Sequence, residues 1–312
     1  MTDILAVGEI LIDLTQSGIT EQGIPHFDAN PGGAPANLAV AASRLGAKTA
    51  FIGKVGADSF GTFLRDCLME NGVDVRGLAT DPVQHTTLAV VAVDAAGERN
   101  FSFYRDPSAD VNLSVEDISP EQLKNTRVLH FGSVSLTAEP ARSATLHAAR
   151  TAKEMGAVVS YDPNYRANLW PDQETAVARM LEPLELVDIL KVSDEELPLL
   201  TGTDGLEAGC AILAGKGISL IFVTCGPNGA FYRFRGRTGH VDGVPCKVGD
   251  TNGAGDTFFG AALSQLVKHG SMEDVTIAEL ERITAFANKA ASLTTSRHGA
   301  IPAMPTLGEV NS

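Results

Sequence analysis

Apolar and polar positions along this chain alternate between two periods. Residues 4–7 form a short apolar run that stops at Gly8, the pattern of a strand buried on both faces. Residues 35–45, PANLAVAASRL, carry helical spacing, with Pro35 in the first turn and Gly46 as the stop. KTAFIG then reads as a strand, and residues 59–71 as an amphipathic helix closed by Gly72. Farther on, RVLHFG is a strand, residues 141–156 a helix, AVVSYD and LVDILKVS strands, residues 206–217 a helix and SLIFVTCG a strand. One helix starts near Ala254 and a second covers residues 276–296. This order predicts a doubly wound α/β fold, with a mainly parallel sheet and helices on both faces.

Residues 85–105 break the rhythm. They read as two strands around an Ala-Ala-Gly turn at 95–97. Such a hairpin either forms an antiparallel edge of the main sheet or projects from it. The projecting form, with part of residues 14–30, predicts a small β lid made by about 12–31 and 84–108. There is no repeat, low-complexity tract or linker, so residues 1–312 are read as one domain carrying that lid.

Composition narrows the function classes. An apolar fraction of 44% and a charged fraction of 20% belong to a globular chain. The formal net charge of -14 argues against binding nucleic acid or an anionic membrane, because both are polyanions. The cysteines (Cys67, Cys210, Cys225, Cys246) are far apart and form no C-x-x-C pair, so disulfides and zinc knuckles are not expected. The start lacks a basic region, and Glu9 and Asp13 interrupt its apolar run, which makes a poor signal peptide. No apolar run reaches the about 18 residues of a spanning helix. A cytoplasmic protein is expected.

The chemistry concentrates in a few stretches. DTNGAGDTFF (250–259) places Gly253, Ala254 and Gly255 at the start of a helix. Unpaired amides and the helix dipole make such a turn an anion site, and glycine lets a phosphate approach the backbone. Asp256 there is either a helix-stabilising acid or a base that takes a proton from an attacking hydroxyl. NPGGAPAN (30–37) offers Gly32 and Gly33 for close approach and Asn37 for polyol hydrogen bonds, or a helix-cap network. Asp13 is a hydroxyl acceptor or a turn residue. In SYDPNYRANLWP, Arg166 clamps an anion or makes a surface ion pair. In KVSDEEL, Glu196 orients magnesium through water or, with Ser193, forms a capping box. The histidines show no ligand spacing, and Trp170 reads as packing. No P-loop occurs, and no G-x-G-x-x-G follows the first strand, which disfavours a P-loop kinase and an NAD-dependent oxidoreductase.

GGAPANLAVAASRLG followed by FIGKVGADSFG near the start, and DTNGAGDTFFGAAL near the end, together resemble the ribokinase/PfkB carbohydrate kinases across nearly the full chain. Within them the chain looks most like the fructokinases, through PGGAPANLAVAASRLGAKTAFIGKVG, GERNFSFYRDPSAD, HFGSVSL, SYDPNYRANLWP and VDILKVSDEE. The resemblance implies that Asp256 is the catalytic base and that Gly253, Ala254 and Gly255 form the anion hole. Asp13, Gly32, Gly33 and Asn37 would hold the sugar, Arg166 would lie near the reacting groups, and Phe103 and Arg105 would close over the sugar from the hairpin. Thr224, Gly226 and Asn288 match nucleotide-site positions, with Ser193 and Glu196 beside them. Asp250, Asn252, Thr294, Arg297 and Gly299 match positions around a potassium site. ATP, Mg²⁺ and K⁺ are the implied cofactors. Separately, the exposed edge of the β lid is suited to pairing with a second copy, which makes a homodimer through the lid an expected assembly. Two positions depart from the family pattern: Asn252 stands where Thr is usual, and Ser193 where many members have the Asn of N-x-x-E. The expected activity is phosphorylation of fructose. The same DPNYR run occurs in 2-keto-3-deoxygluconate kinases, and a non-catalytic sugar or nucleotide sensor on this fold is the alternative from another class.

Overall fold

Ile4, Leu5, Ala6 and Val7 are all fully buried, Leu5 and Val7 facing one core cluster while Ile4 and Ala6 face two others. A strand with both faces covered needs a helical layer on each side, and the remaining elements supply them. The computed structural model describes residues 1–93 and 99–312. The Ala-Ala-Gly turn expected at 95–97 lies outside the described residues.

In chain order the strands are β1 (Thr2–Val7), β2 (Leu11–Ile19), β3 (Pro25–Gly32), β4 (Thr49–Gly56), β5 (Asp74–Asp81), β6 (Leu88–Val93), β7 (Arg99–Tyr104), β8 (Thr126–Gly132), β9 (Val158–Asp162), β10 (Ile189–Ser193), β11 (Leu220–Thr224), β12 (Ala230–Phe234) and β13 (Arg237–Val241). The α-helices are α1 (Ala34–Arg44), α2 (Ser59–Glu70), α3 (Pro120–Lys124), α4 (Ala141–Glu154), α5 (Gln173–Leu181), α6 (Glu196–Thr201), α7 (Leu206–Ala214), α8 (Ala254–Leu266), α9 (Ile277–Thr295) and α10 (Leu307–Asn311).

The main sheet has nine strands in the order β13-β12-β11-β10-β9-β8-β1-β4-β5. From β11 to β5 every pairing is parallel; β12 and β13 close the other edge as an antiparallel hairpin. This is the expected doubly wound α/β class. Residues from α4, α5 and α7, including Leu146, Met180 and Leu213, cover one face. Phe258 and Phe259 of α8 and Leu280 and Ile283 of α9 cover the other. Helix α9 starts at a capping box between Thr276 and Glu279, the exchange that supplies two otherwise unpaired amides.

A separate four-stranded sheet runs β3-β2-β6-β7. β2 pairs antiparallel with β3 and parallel with β6, joining Ile12 to Leu88 in register. The β6–β7 hairpin therefore belongs to this second sheet and not to the edge of the main one. Because the main strands run parallel, β1, β8, β9, β10 and β11 all end on one edge, and the loops there meet β2, β3 and the start of α8. Open α/β sheets place their ligands at that edge.

Candidate active site

Gly253 caps α8 with a left-handed φ of 74°, and a Cβ there would sit 2.9 Å from the Ala300 side chain. Glycine is thus required by backbone and by space together. Ala254 and Gly255 open the helix, and Asp256 lies in its first turn, only 8% exposed. A helix-stabilising acid would be exposed and bond its own amides. The oxygens of Asp256 instead meet side chains from distant elements. Asn37 donates to Oδ2 at 2.8 Å and Asn164 to Oδ1 at 3.2 Å. Burial raises the pKa of Asp256, while the Asn37 hydrogen bond and the charges of Lys191 and Arg166 hold it down.

On one side of Asp256 lies a polar cradle. Asp13 leaves β2 half-buried, with its pKa pushed up to about 6 by burial against the opposing Asn252 amide and Arg166 charge. A Cβ on Gly32 would press on the Asp13 carboxylate. Gly33 has a φ of 107°, and its Cβ would lie 2.6 Å from the carbonyl of Glu9. The Glu9 carboxylate accepts the Ala34 amide at 3.1 Å and so pins this turn. Asn37 gives one N–H to Asp256, and its Oδ1 is buried without a partner. Arg166 is exposed, bonds the Tyr165 carbonyl at 3.1 Å and acts electrostatically on both Asp13 and Asp256. Phe103 sits half-buried on β7. Arg105, at the end of the same hairpin, is engaged within the fold. Its guanidinium is buried and donates to Asp110 at 2.7 Å, Thr137 at 2.5 Å and the Val134 carbonyl at 3.0 Å. With each of its three nitrogens bonded, it braces the base of the hairpin.

On the other side is a cavity of about 550 Å³, within the usual range for small-molecule sites. Thr224, Gly226, Asn288, Ala254 and Gly255 line it, together with Val244, Cys246 and Val248 from the loop after β13. Asn288 donates to the carbonyls of Val241 and Asp242, both at 3.0 Å, and fixes that loop as a wall. Ser193 and Glu196 do not line this cavity. The Ser193 amide donates to Glu196 at 2.8 Å and the Glu196 amide to Ser193 Oγ at 3.1 Å, a reciprocal cap. The second oxygen of Glu196 accepts the Tyr165 amide at 2.6 Å and ties the loop after β9 to the loop after β10.

Four site residues escaped the sequence reading: Glu9, Asp162, Asn164 and Lys191. Lys191 Nζ meets Asp162 at 3.0 Å in a buried ion pair. It also packs under the glycine turn, 3.1 Å from where a Gly255 Cβ would be. Burial works against the Lys191 charge, but Asp162, Glu196 and Asp256 outweigh it and raise the Lys191 pKa. The available signal was a single charge inside the apolar strand ILKVS.

Asp250 and Gly299 are adjacent, the Gly299 amide donating to Asp250 Oδ2 at 3.3 Å and the Asn252 amide to its Oδ1 at 3.0 Å. The Asn252 side chain reaches Asp13 at 3.5 Å. The Thr294 hydroxyl is buried between helices against Thr257 at 3.0 Å, and the Arg297 guanidinium turns away to Glu309 at 2.5 Å. Those two can serve a cation here only through their carbonyls. Among the described residues, no cluster of three His, Cys, Asp or Glu side chains is arranged to hold a metal ion.

The fold, the anion-ready turn, the buried acid and the adjoining cavity define a small-molecule kinase with the ribokinase-like architecture. The chain matches the pfkB family carbohydrate kinase model over residues 1–307, and it belongs to that family. It is 44% identical over 313 residues to probable fructokinase-4 of Arabidopsis thaliana, covering 99% of this chain and 95% of the relative. The fructokinase of Xylella fastidiosa, solved with bound ATP, is 35% identical with a TM-score of 0.92, covering 99% of this chain and 97% of that one. The fructokinase of Vibrio cholerae O395, solved with fructose, ADP and calcium, is 37% identical with a TM-score of 0.90, covering 100% and 98%.

Proposed function

We propose that the protein is an ATP-dependent fructokinase that converts fructose to fructose 6-phosphate. The observation that carries the reading is the position of Asp256. It lies at the seam between the Asp13 cradle and the 550 Å³ cavity, beside the amides of the Gly253–Gly255 turn. In this reading Asp13 and Asn37 hold sugar hydroxyls, and Thr224, Gly226 and Asn288 frame the nucleotide. Asp256 accepts the proton of the primary hydroxyl as the O–P bond forms, and the bond from the γ-phosphorus to the bridging oxygen breaks to release ADP. Turn amides and the Lys191 ammonium balance the charge on the moving phosphoryl group. Arg166 adds a further positive charge at the mouth.

Metal ions fit without a protein-built divalent cage. Magnesium would enter with the nucleotide and neutralise phosphate charge, with few or no direct ligands from protein side chains. A monovalent cation suits the oxygen-only donors of the 250–252 and 294–299 segments, where it would fix the glycine turn. The second sheet, roughly residues 12–31 and 84–108, acts in this reading as a lid that excludes water from the single domain 1–312. Its exposed Ile19, Ile24, Phe27 and Tyr104 favour pairing of two lids in a homodimer, which sedimentation of the purified chain tests. A reducing, cytoplasmic setting fits the four unpaired cysteines. Among the described residues no helix is long and apolar enough to cross a membrane.

A coupled ADP-release screen tests the activity. Fructose, ribose, 2-keto-3-deoxygluconate and nucleosides are compared with Mg-ATP, with and without potassium. Fructose should give the highest kcat/KM. Turnover of 2-keto-3-deoxygluconate without turnover of fructose would overturn the assignment, and no ADP release with any acceptor would favour a sensor.

A further inference from the structure

We propose that Asn164 is a positioning residue for phosphoryl transfer, one that aims Oδ1 of Asp256 at the acceptor hydroxyl while Asn37 holds Oδ2. Each oxygen of the acid thus has its own amide donor, at 3.2 Å and 2.8 Å, from elements 92 and 219 residues away in sequence. Two donors on opposite oxygens fix the rotation of the carboxylate plane, which a single donor leaves free. A proton acceptor must be held within a narrow range of angle and distance, and small misplacements cost large factors in rate.

The backbone supports the same assignment. Asn164 has a φ of 48°, one of two non-glycine residues in the left-handed region among those described. Strain of this kind persists where the surroundings over-determine it, and it gathers at working sites. The surroundings here do so. The Asn164 amide donates to Asp162 Oδ1 at 3.1 Å, and the next amide, Tyr165, donates to Glu196 at 2.6 Å. Asp162 is in turn clamped by Lys191 at 3.0 Å. A chain of fixed groups therefore runs from the ends of β9 and β10 to the Asn164 side chain, and delivers it to Asp256.

The inference rests on the reading of Asp256 as the base. Asn164→Gly tests it, because glycine adopts this φ without strain and removes only the amide. Turnover with fructose should fall by about tenfold to a hundredfold while KM for fructose stays within about threefold. Asn164→Asp keeps a residue that tolerates the left-handed region but sets an anion against Asp256, and kcat should fall further. It also serves as the second variant should the glycine protein not fold. Retention of turnover within about twofold in the folded glycine variant, or a rise in KM with unchanged kcat, would overturn the proposal. So would near-native turnover of the aspartate variant. Asp256→Asn run alongside separates the two readings. If it remains active the base assignment fails, whereas an inactive Asp256→Asn beside a fully active Asn164→Gly refutes the positioning role alone.

Discussion

Glu9 gives a pH dependence whose sign and size follow from its surroundings. The residue is 2% exposed, with one oxygen on the Ala34 amide and the other buried without a partner. Burial pushes its pKa from 4.5 to about 7, against the opposing pull of its own backbone and of Arg105; Asp110 pushes the same way as burial. A carboxyl whose folded pKa is raised stabilises the fold fully below its unfolded value, and that contribution is lost as pH rises through the folded value. Glu9→Gln is an isostere of the protonated form and does not titrate. The unfolding free energy of the variant minus that of the parent should therefore grow with pH, from near zero at about pH 4 to about 3 kcal/mol at about pH 8, because a tenfold difference in proton affinity between the folded and unfolded chains is worth about 1.4 kcal/mol. Every other titrating group is common to both proteins and cancels. The assay is urea unfolding of both proteins in a series of buffers, with equal m-values as the check that both unfold from like states. A difference that stays constant within about 0.5 kcal/mol over this range would refute the buried, uncompensated carboxyl.

Three further variants probe the site itself. Asp256→Asn should keep fructose and ATP binding by calorimetry and lose about a thousandfold in kcat, and near-native turnover would exclude it as the base. Gly32→Ala drives a methyl group into the Asp13 carboxylate, so KM for fructose should rise about tenfold or more with ATP binding unchanged; an unaltered KM would mean that Asp13 does not hold the sugar. Lys191→Met leaves Asp162 buried without its partner, which should cost about 3 kcal/mol of stability and lower kcat with saturating ATP. Thermal unfolding and steady-state rates separate those two effects, and a stable, fully active variant would remove Lys191 from the charge balance.

The parallel sheet was legible because its strands are buried on both faces and so read as continuous apolar runs. The elements that escaped lack that mark. β5 sits at the edge with Asp74 and Arg76 paired to each other at 2.6 Å, which spoils the apolar run. β12 and β13 form the opposite edge, and β13 is only partly buried over its whole length. The antiparallel edge foreseen as one option for residues 85–105 exists, but β12 and β13 fill it.

Within the site the same division holds between backbone and side chain. Gly33 and Gly253 were readable because a left-handed turn with a close approach leaves glycine no substitute, and that demand is local to the sequence. What each side chain does was not local. Asn37 read as a sugar contact or a helix cap, and its amide donates to Asp256; Asn252 read as a potassium-site position, and its amide points at Asp13. Glu196 was open between orienting magnesium through water and a capping box with Ser193, and the two exchange the hydrogen bonds of such a cap. An asparagine or a glutamate carries donors and acceptors that many partners satisfy, so its role is set by whichever group the fold brings within about 3 Å. Arg105 shows the limit most clearly. It stands at the end of the hairpin in sequence, where a closing gesture over the substrate was the natural reading. The fold surrounds its guanidinium with Asp110, Thr137 and Val134 from the segment that follows, so the buried cation is paired and each of its nitrogens is bonded within the fold.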